Sequence, residues 1–208
     1  MHSYYARKEN SYQYGDYSIF VAEVASTVNE VLLSKYLLKT SKDNNEKMYI
    51  LNNLMSLFRA TIYRQTMFAE FEKSIYADAE NGVPLTADNL SNKYYELNKK
   101  YFGDNVVVDD EIKYEWARIP HFYYNFYVYK YATGLSAACK IATDILDGKE
   151  NAVDNYKKFL KCGTTKNPIE SLKLAGVDLR KKDVVESAIR MFNETIEEFE
   201  EIYSEEKN

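Results

Sequence analysis

The stretch that decides the fold reads Ser18-Ile19-Phe20-Val21-Ala22-Glu23-Val24-Ala25-Ser26-Thr27-Val28-Asn29-Glu30-Val31-Leu32-Leu33. Its apolar residues recur at helical spacing and face several directions around the helix axis. A helix that is apolar on most of its sides is usually buried on most of its sides. We therefore predict a largely buried helix over about residues 17–38.

The rest of the chain also has a helical pattern, with only 7 Gly and 3 Pro in 208 residues. So few turn-forming residues disfavour a fold of many short strands. We predict further helices from Ser41 or Asp43 to about residue 79, from Thr86 to about 102, from Pro120 to about 146, and over about 150–161, 168–174 and 183–204. Residues 106–108 favour a short strand or an extended segment. The predicted fold is an all-α bundle of long helices, one helical unit over residues 1–208.

Composition excludes several classes of protein. The net charge of −5 argues against a nucleic-acid-binding protein, which would usually carry a basic face. No apolar run approaches the length of a membrane span, so no membrane partner is expected. Cys139 and Cys162 are far apart and lack metal-ligand spacing, which favours reduced thiols in a cytoplasmic protein.

An acidic stripe interrupts the apolar helix around residue 23. At about 100° per residue, Asp16, Glu23, Thr27 and Glu30 fall on one narrow face. If the helix is buried there, these acids must be paired, protonated or bound to a metal. The alternative is that the stripe is the solvent-facing edge of an otherwise buried helix.

One histidine and several tyrosines crowd the segment that follows Pro120, which includes His121, Tyr124 and Tyr127. Imidazole can donate or accept a proton near neutral pH, and a phenol hydroxyl can donate a hydrogen bond to a developing oxyanion. These residue types suit acyl-transfer chemistry without a serine nucleophile. The alternative is an aromatic core helix with one hydrogen-bonded histidine, although burying so many phenols without polar partners would be costly.

Three stretches, in this order along the chain, resemble the oligoendopeptidase F branch of the thimet-oligopeptidase-like metallopeptidases. They are residues 2–7 with 16–27 (HSYYAR and DYSIFVAEVAST), residues 118–134 (RIPHFY through FYVYKYATG) and residues 168–178 (PIESLKLAGVD). The resemblance implies a gluzincin, in which a helix with H-E-x-x-H supplies two histidine zinc ligands and a general-base glutamate. It also implies that residues 1–208 are a C-terminal helical part of the catalytic lobe.

The resemblance assigns roles to residues of this chain. Glu23 matches the third zinc ligand, which lies on the next helix. His121 matches a histidine that contacts the substrate or the tetrahedral intermediate. Tyr127 and Tyr129 match best the tyrosines that donate to the oxyanion.

Other assignments are less fixed in position. Tyr124 or Tyr131 would take the oxyanion role if the register after His121 slips. Asp16 and Glu30 are candidates to support the helix that carries the metal ligand.

The chain contains no H-E-x-x-H, and its two histidines are His2 and His121. Because relatives read roughly H-E-x-x-H-S-x-H-S-Y-Y, we expect the chain to begin inside the catalytic helix. A substitute zinc site from His2, Glu23 and His121 is disfavoured, because His2 has the wrong helical position.

The sequence therefore predicts part of a zinc-dependent oligoendopeptidase that hydrolyses short unstructured peptides by metal-activated water. We expect the chain alone to be inactive, to expose an apolar cleft wall, and to partner the N-terminal part of the same enzyme. Two alternatives stay open: a non-catalytic peptide-binding protein with a tyrosine-lined cleft, and a plain structural helical bundle.

Overall fold

A computed structural model describes residues 1–207 and places most of them in helices. The α-helices are α1 (His2–Glu9), α2 (Ile19–Thr40), α3 (Asn44–Phe58), α4 (Arg64–Glu80), α5 (Ala87–Phe102), α6 (Tyr129–Leu146), α7 (Ala152–Lys161), α8 (Pro168–Leu174) and α9 (Asp183–Glu206). Short 3-10 helices cover Tyr12–Tyr14, Asp110–Arg118 and Pro120–Tyr123. Because no strand forms within residues 1–207, the predicted all-α class is confirmed.

The chain divides into two compact units. The first contains residues 1–59 and the chain from residue 133 onward, and the second contains residues 60–132.

The core of the first unit is built around α2. Val21, Val24 and Val28 pack with side chains of α6, α7 and α8, which include Ile141, Phe159 and Leu172. α1 packs against α7, and α3 packs against α9. The buried side of α2 thus agrees with the apolar pattern of its sequence.

The core of the second unit is aromatic. Phe68 and Phe71 of α4 pack with Tyr94 of α5, and the ring centroids of Phe71 and Tyr94 are 5.2 Å apart in an edge-on arrangement. Phe122 closes this cluster, with its ring 5.1 Å from that of Phe71. The buried Phe122 therefore anchors the neighbouring His121 to the aromatic core.

Several helix ends form where the sequence places a capping residue. The Thr86 side chain accepts a hydrogen bond from the Asn89 N–H at the start of α5, and Asn167 does the same for the Glu170 N–H at the start of α8. Of the two candidate caps before α3, Asp43 is the cap, accepting from the Asn45 N–H, whereas Ser41 follows the last residue of α2.

The predicted single helix from Pro120 to residue 146 is wrong in its first part. Pro120–Tyr123 is a 3-10 turn, residues 124–128 are irregular, and α6 begins at Tyr129. Asn125 and Phe126 have φ values of 50° and 53°, which no α-helix contains. The aromatic residues of this segment are also weak helix formers, so local preference does not oppose the break.

Two further predictions need correction or completion. The long helix predicted to end near residue 79 is interrupted, since Arg59–Tyr63 is π-helical between α3 and α4. Val106, Val107 and Val108 do not form the strand alternative, and they line an open cavity of about 620 Å³ in the second unit. Across residues 1–207, no helix is both long and apolar enough to cross a membrane.

Candidate functional site

Glu23 lies in the second turn of α2, on its exposed face. The helix begins at Ile19 because the Ser18 side chain accepts the Phe20 N–H. The Ser26 hydroxyl donates weakly to Glu23 Oε2 at 3.4 Å, and the Thr27 hydroxyl donates to the Glu23 carbonyl at 2.7 Å. The Glu23 carboxylate is thus presented outward on a rigid helix whose opposite face is anchored in the core.

The other acids of the predicted stripe are also exposed. Glu30 lies two turns after Glu23 on α2. Asp16 precedes the helix, and its Oδ1 accepts the Tyr17 N–H at 2.9 Å. The three acids of the stripe thus face solvent in the described chain.

This exposed face of α2 is not only acidic. It also carries large apolar side chains, with Ile19 52% and Leu33 57% exposed. Ile19 lies about 40° and Leu33 about 80° from Glu23 around the helix axis, whereas the exposed Tyr36 lies on another side of α2, about 140° from Glu23. Glu23 therefore has exposed apolar side chains of the same helix on either side of it along the chain.

His121 lies in the second unit, half-buried within a cluster of phenol rings. Its ring stacks on that of Tyr127, with centroids 5.4 Å apart and planes inclined by 29°. Tyr124 and Tyr131 meet the imidazole edge-on at 6.2 and 6.1 Å. We call these four residues the His121 cluster. The cluster brings three phenol rings into contact with one imidazole.

The tyrosines proposed for the oxyanion differ in their placement. Tyr127 is half-buried and lies inside the His121 cluster, with the Lys130 ammonium 4.7 Å from its ring centroid. Tyr129 is the first residue of α6 and is 38% exposed. Both alternatives, Tyr124 and Tyr131, belong to the cluster. The roles of all four remain predictions.

A charged network precedes the cluster in the second unit. Glu115 accepts hydrogen bonds from the Tyr94 hydroxyl and the Arg64 guanidinium, both at 2.6 Å, and also pairs with Arg118. Burial alone would raise the pKa of Glu115, but these donors outweigh it and hold the pKa below its usual value. The network fixes the 3-10 helix Asp110–Arg118, from which the chain continues to His121.

Glu72 is a residue of this region that the sequence interpretation missed. It lies on α4 and is 1% exposed, and its Oε1 accepts the Phe126 N–H at 2.5 Å. Burial raises the pKa of Glu72, an effect that hydrogen bonds from the Phe126 N–H and the Tyr76 hydroxyl oppose. A signal for it existed in the sequence, because Glu72 lies on the same helical face as Phe68 and Ile75.

Comparison with known proteins gives the family. The Peptidase family M3 profile matches residues 1–191, well over half of the chain. This chain belongs to peptidase family M3. The predicted resemblance to oligoendopeptidase F is thereby confirmed.

Relatives of the M3 chain are much longer than it is. It is 55% identical over 202 residues to oligopeptidase PepF of Bacillus subtilis, matching 97% of this chain and 30% of that protein. It is 44% identical to the chromosomal oligoendopeptidase F of Lactococcus lactis subsp. cremoris, matching 97% of this chain and 34% of that protein.

A solved structure gives the same relation. The crystal structure of oligoendopeptidase-F from Enterococcus faecium has a TM-score of 0.88 and 45% identity, over 98% of this chain and 37% of that chain. The M3 chain therefore spans about a third of the length of these relatives.

Family M3 uses zinc, and the residues of this M3 chain can be tested against that metal. Within residues 1–207, no three His, Cys, Asp or Glu side chains come close enough to hold a metal ion. Glu23 fits one position of a site, since its carboxylate is exposed on a rigid helix. The described residues therefore do not form a complete zinc site by themselves.

His2, which the sequence disfavoured as a ligand, is buried at 6% exposure in the first unit. Its ring stacks on that of Tyr17 at 3.7 Å and lies 5.2 Å from that of Phe159. Within the described chain, its Nδ1 is buried without a hydrogen-bond partner. Burial, followed by the nearby N-terminal ammonium, lowers the pKa of His2 to about 4.

We expect this histidine to make the first unit acid-sensitive. Because the pKa of about 4 in the folded chain lies below the ordinary histidine value of 6.5, the unfolded chain binds more protons between these two pH values. The contribution of neutral His2 to the free energy of unfolding is fully present above pH 6.5 and is lost as the pH falls toward 4. Urea unfolding measures the free energy of unfolding at pH 7 and at pH 4.5. Between these pH values the native chain should lose more of this free energy than His2→Phe does, by on the order of 2 kcal/mol. Equal losses in the two proteins would contradict the assignment.

Proposed function

We propose that this chain forms part of the catalytic region of a zinc-dependent oligoendopeptidase that hydrolyses short, unstructured peptides. The observation that carries the proposal is the His121 cluster, one imidazole in ring contact with three tyrosines. The chain belongs to peptidase family M3, which supports a catalytic role for this cluster over a role in aromatic packing alone.

Each group has a distinct role in this proposal. Glu23 supplies one carboxylate ligand to the metal, while two histidines of an H-E-x-x-H helix outside these 208 residues supply the others. When bound, the zinc ion supplies Lewis-acid chemistry at the scissile carbonyl and an activated water.

The His121 cluster acts on the substrate. The imidazole of His121 contacts the peptide, and a hydroxyl from Tyr127 or Tyr129 donates to the oxygen that becomes negatively charged. Asp16 and Glu30 support the helix that carries Glu23.

The partners follow from these roles. The exposed apolar and acidic face of α2 packs against the part of the enzyme that carries the H-E-x-x-H helix. The family implies peptide substrates. We place the enzyme in the cytoplasm, a proposal supported by the free, buried thiols of Cys139 and Cys162.

The first expected result is that the purified 208-residue chain cleaves no peptide. Its described residues offer no complete metal site, and its sequence holds no H-E-x-x-H to supply the general base. A quenched fluorescent peptide of about ten residues, long enough to fill an extended cleft, tests this with and without added zinc. Zinc-dependent cleavage that a chelator abolishes would show that the chain does not need zinc ligands and a general base from outside its 208 residues.

The experiment that tests the proposal itself is to read the DNA upstream of the Met1 codon in three frames. An in-frame H-E-x-x-H close to that codon supports a full zinc oligopeptidase that uses Glu23. An out-of-frame motif indicates a broken gene with an inert product. If no motif is present and the chain binds peptides without cleaving them, the peptide-binding alternative replaces the proposal. If it binds none, a structural bundle is left.

A further inference from the structure

We propose that Glu72 is a positioning residue, whose carboxylate holds the backbone of residues 124–128 in a left-handed turn and thereby sets Tyr127 against His121. The inference rests on the proposed function only where it concerns catalysis. The structural part stands on contacts within the second unit.

The backbone of this turn is unusual. Asn125 and Phe126 are consecutive non-glycine residues with φ values of 50° and 53°. L-residues rarely adopt this region, and asparagine tolerates it better than phenylalanine does. A conformation of this kind persists only where surrounding structure determines it.

The Glu72 carboxylate stabilises this left-handed conformation. It is fixed on α4, is 1% exposed, and accepts the Phe126 N–H at 2.5 Å. The Tyr127 N–H also donates to it. Successive N–H groups of such a turn converge on an anion, and here the anion is the protein's own side chain.

Packing on the other side of the turn reinforces the contact. The Phe126 ring packs on that of Tyr76, with centroids 4.6 Å apart, and the Tyr76 hydroxyl bonds to the same carboxylate. Phe126 is therefore held by its backbone and by its ring. Because Phe126 is fixed, the next residue must present its side chain in one direction.

That direction matters for the His121 cluster. Pro120–Tyr123 is a 3-10 turn, after which the Tyr124 N–H donates to the His121 carbonyl at 3.0 Å. α6 begins at Tyr129. Between these two ends, the left-handed turn and the buried side chain of Val128 together decide where Tyr127 points. Without Glu72, the ring stack of His121 and Tyr127 should lose its fixed geometry.

The test compares Glu72→Leu, which removes the acceptor, with Glu72→Gln, which keeps one carbonyl oxygen that can accept the Phe126 N–H. Glu80→Leu, an exposed position at the end of the same helix, is the matched control. Amide hydrogen exchange and ring–ring NMR contacts are measured on the full 208-residue chain, so the readout does not depend on peptidase activity.

We expect exchange at Phe126 and Tyr127 to accelerate at least about tenfold in Glu72→Leu, as expected when a buried charge-assisted hydrogen bond is lost. Glu72→Gln should restore most of the protection, and Glu80→Leu should change nothing. The NMR contact between the rings of His121 and Tyr127 should weaken in Glu72→Leu alone. If Glu72→Leu fails to fold, Glu72→Ala replaces it, and faster exchange at these two amides in Glu72→Ala than in Glu72→Gln supports the proposal.

Two results would overturn it. One is unchanged exchange at Phe126 and Tyr127 in a folded Glu72→Leu chain. The other is faster exchange spread evenly through the second unit, which would make Glu72 a general packing residue. In a longer enzyme with H-E-x-x-H, a lower kcat at unchanged KM in Glu72→Leu, largely restored in Glu72→Gln, supports the catalytic part. If instead the turn loosens but kcat is unchanged, the proposed role of the His121 cluster fails while the structural role of Glu72 stands.

Discussion

Glu23→Gln is expected to release zinc and to lower kcat/KM by at least about 100-fold in an enzyme that joins this chain to an H-E-x-x-H helix. A neutral amide oxygen is a poor zinc ligand, whereas a carboxylate offers both charge and two oxygens. The exposed position of Glu23 on α2 leaves its carboxylate available for a metal held from outside these residues.

The same substitution should leave the 208-residue chain almost unchanged in stability, within about 0.5 kcal/mol, because surface positions without strong contacts tolerate replacement. Loss of zinc and activity without loss of stability distinguishes a metal ligand from a residue that is needed only for folding. Zinc content by atomic absorption and kcat/KM with a fluorescent peptide are the measurements for the enzyme.

Glu201→Gln on α9 is the control, since it removes an equally exposed carboxylate from another helix. Glu23→Asp keeps the charge but shortens the reach, and its activity should lie between those of the native enzyme and Glu23→Gln. Normal zinc content together with native activity in Glu23→Gln would remove Glu23 from the proposed metal site.

Most helices could be predicted from the sequence because their signals are local. Thr86 and Gly103 bracket α5, and Asn167 with Pro168 begins α8 where the capping pattern places it. Val21, Val24 and Val28 of α2 are buried, as their spacing indicates. These features depend on residues within one or two turns of each other. The prediction that α2 is buried on most of its sides is wrong, since Ile19, Leu33 and Leu37 are exposed.

The failures depend on distant residues. Nothing near Asn125 and Phe126 in sequence requires a left-handed turn, and the group that stabilises it, Glu72, lies 54 residues earlier. The π-helical break at Arg59–Tyr63 likewise has no local proline or glycine to announce it. Sequence spacing suggested that His121 and its tyrosines share a helix, whereas ring contacts across an irregular turn bring them together.

The exposure of the acidic stripe could not be decided from periodicity alone. Glu23 and Glu30 lie on one face of α2 in either alternative. Only the packing of the other faces against the core shows that the face with these glutamates meets solvent. The family resemblance supplied the role of Glu23 as a prediction. The geometry adds that a rigid, well-anchored helix carries it.

Gly163→Ala is expected to destabilise the first unit by about 3–4 kcal/mol, the sum of a backbone cost and a steric clash. Gly163 has a φ of 57°, and an added Cβ would lie 2.0 Å from the Tyr14 carbonyl oxygen. That oxygen accepts the Thr164 N–H at 3.0 Å, so it cannot move away without losing the bond. The contact ties the loop before α2, which carries Asp16, to the end of α7.

Gly148→Ala is the matched control, since Gly148 has a similar φ of 65° but nothing within 4 Å of the added Cβ. It should cost only about 1 kcal/mol, the left-handed penalty alone. For a chain of this size, thermal unfolding should therefore fall by roughly 10 °C in Gly163→Ala and by about 3 °C in the control. Equal losses would mean that the loop before α2 yields to the methyl group, and that its contact with the end of α7 does not hold Asp16 and the start of α2 in place.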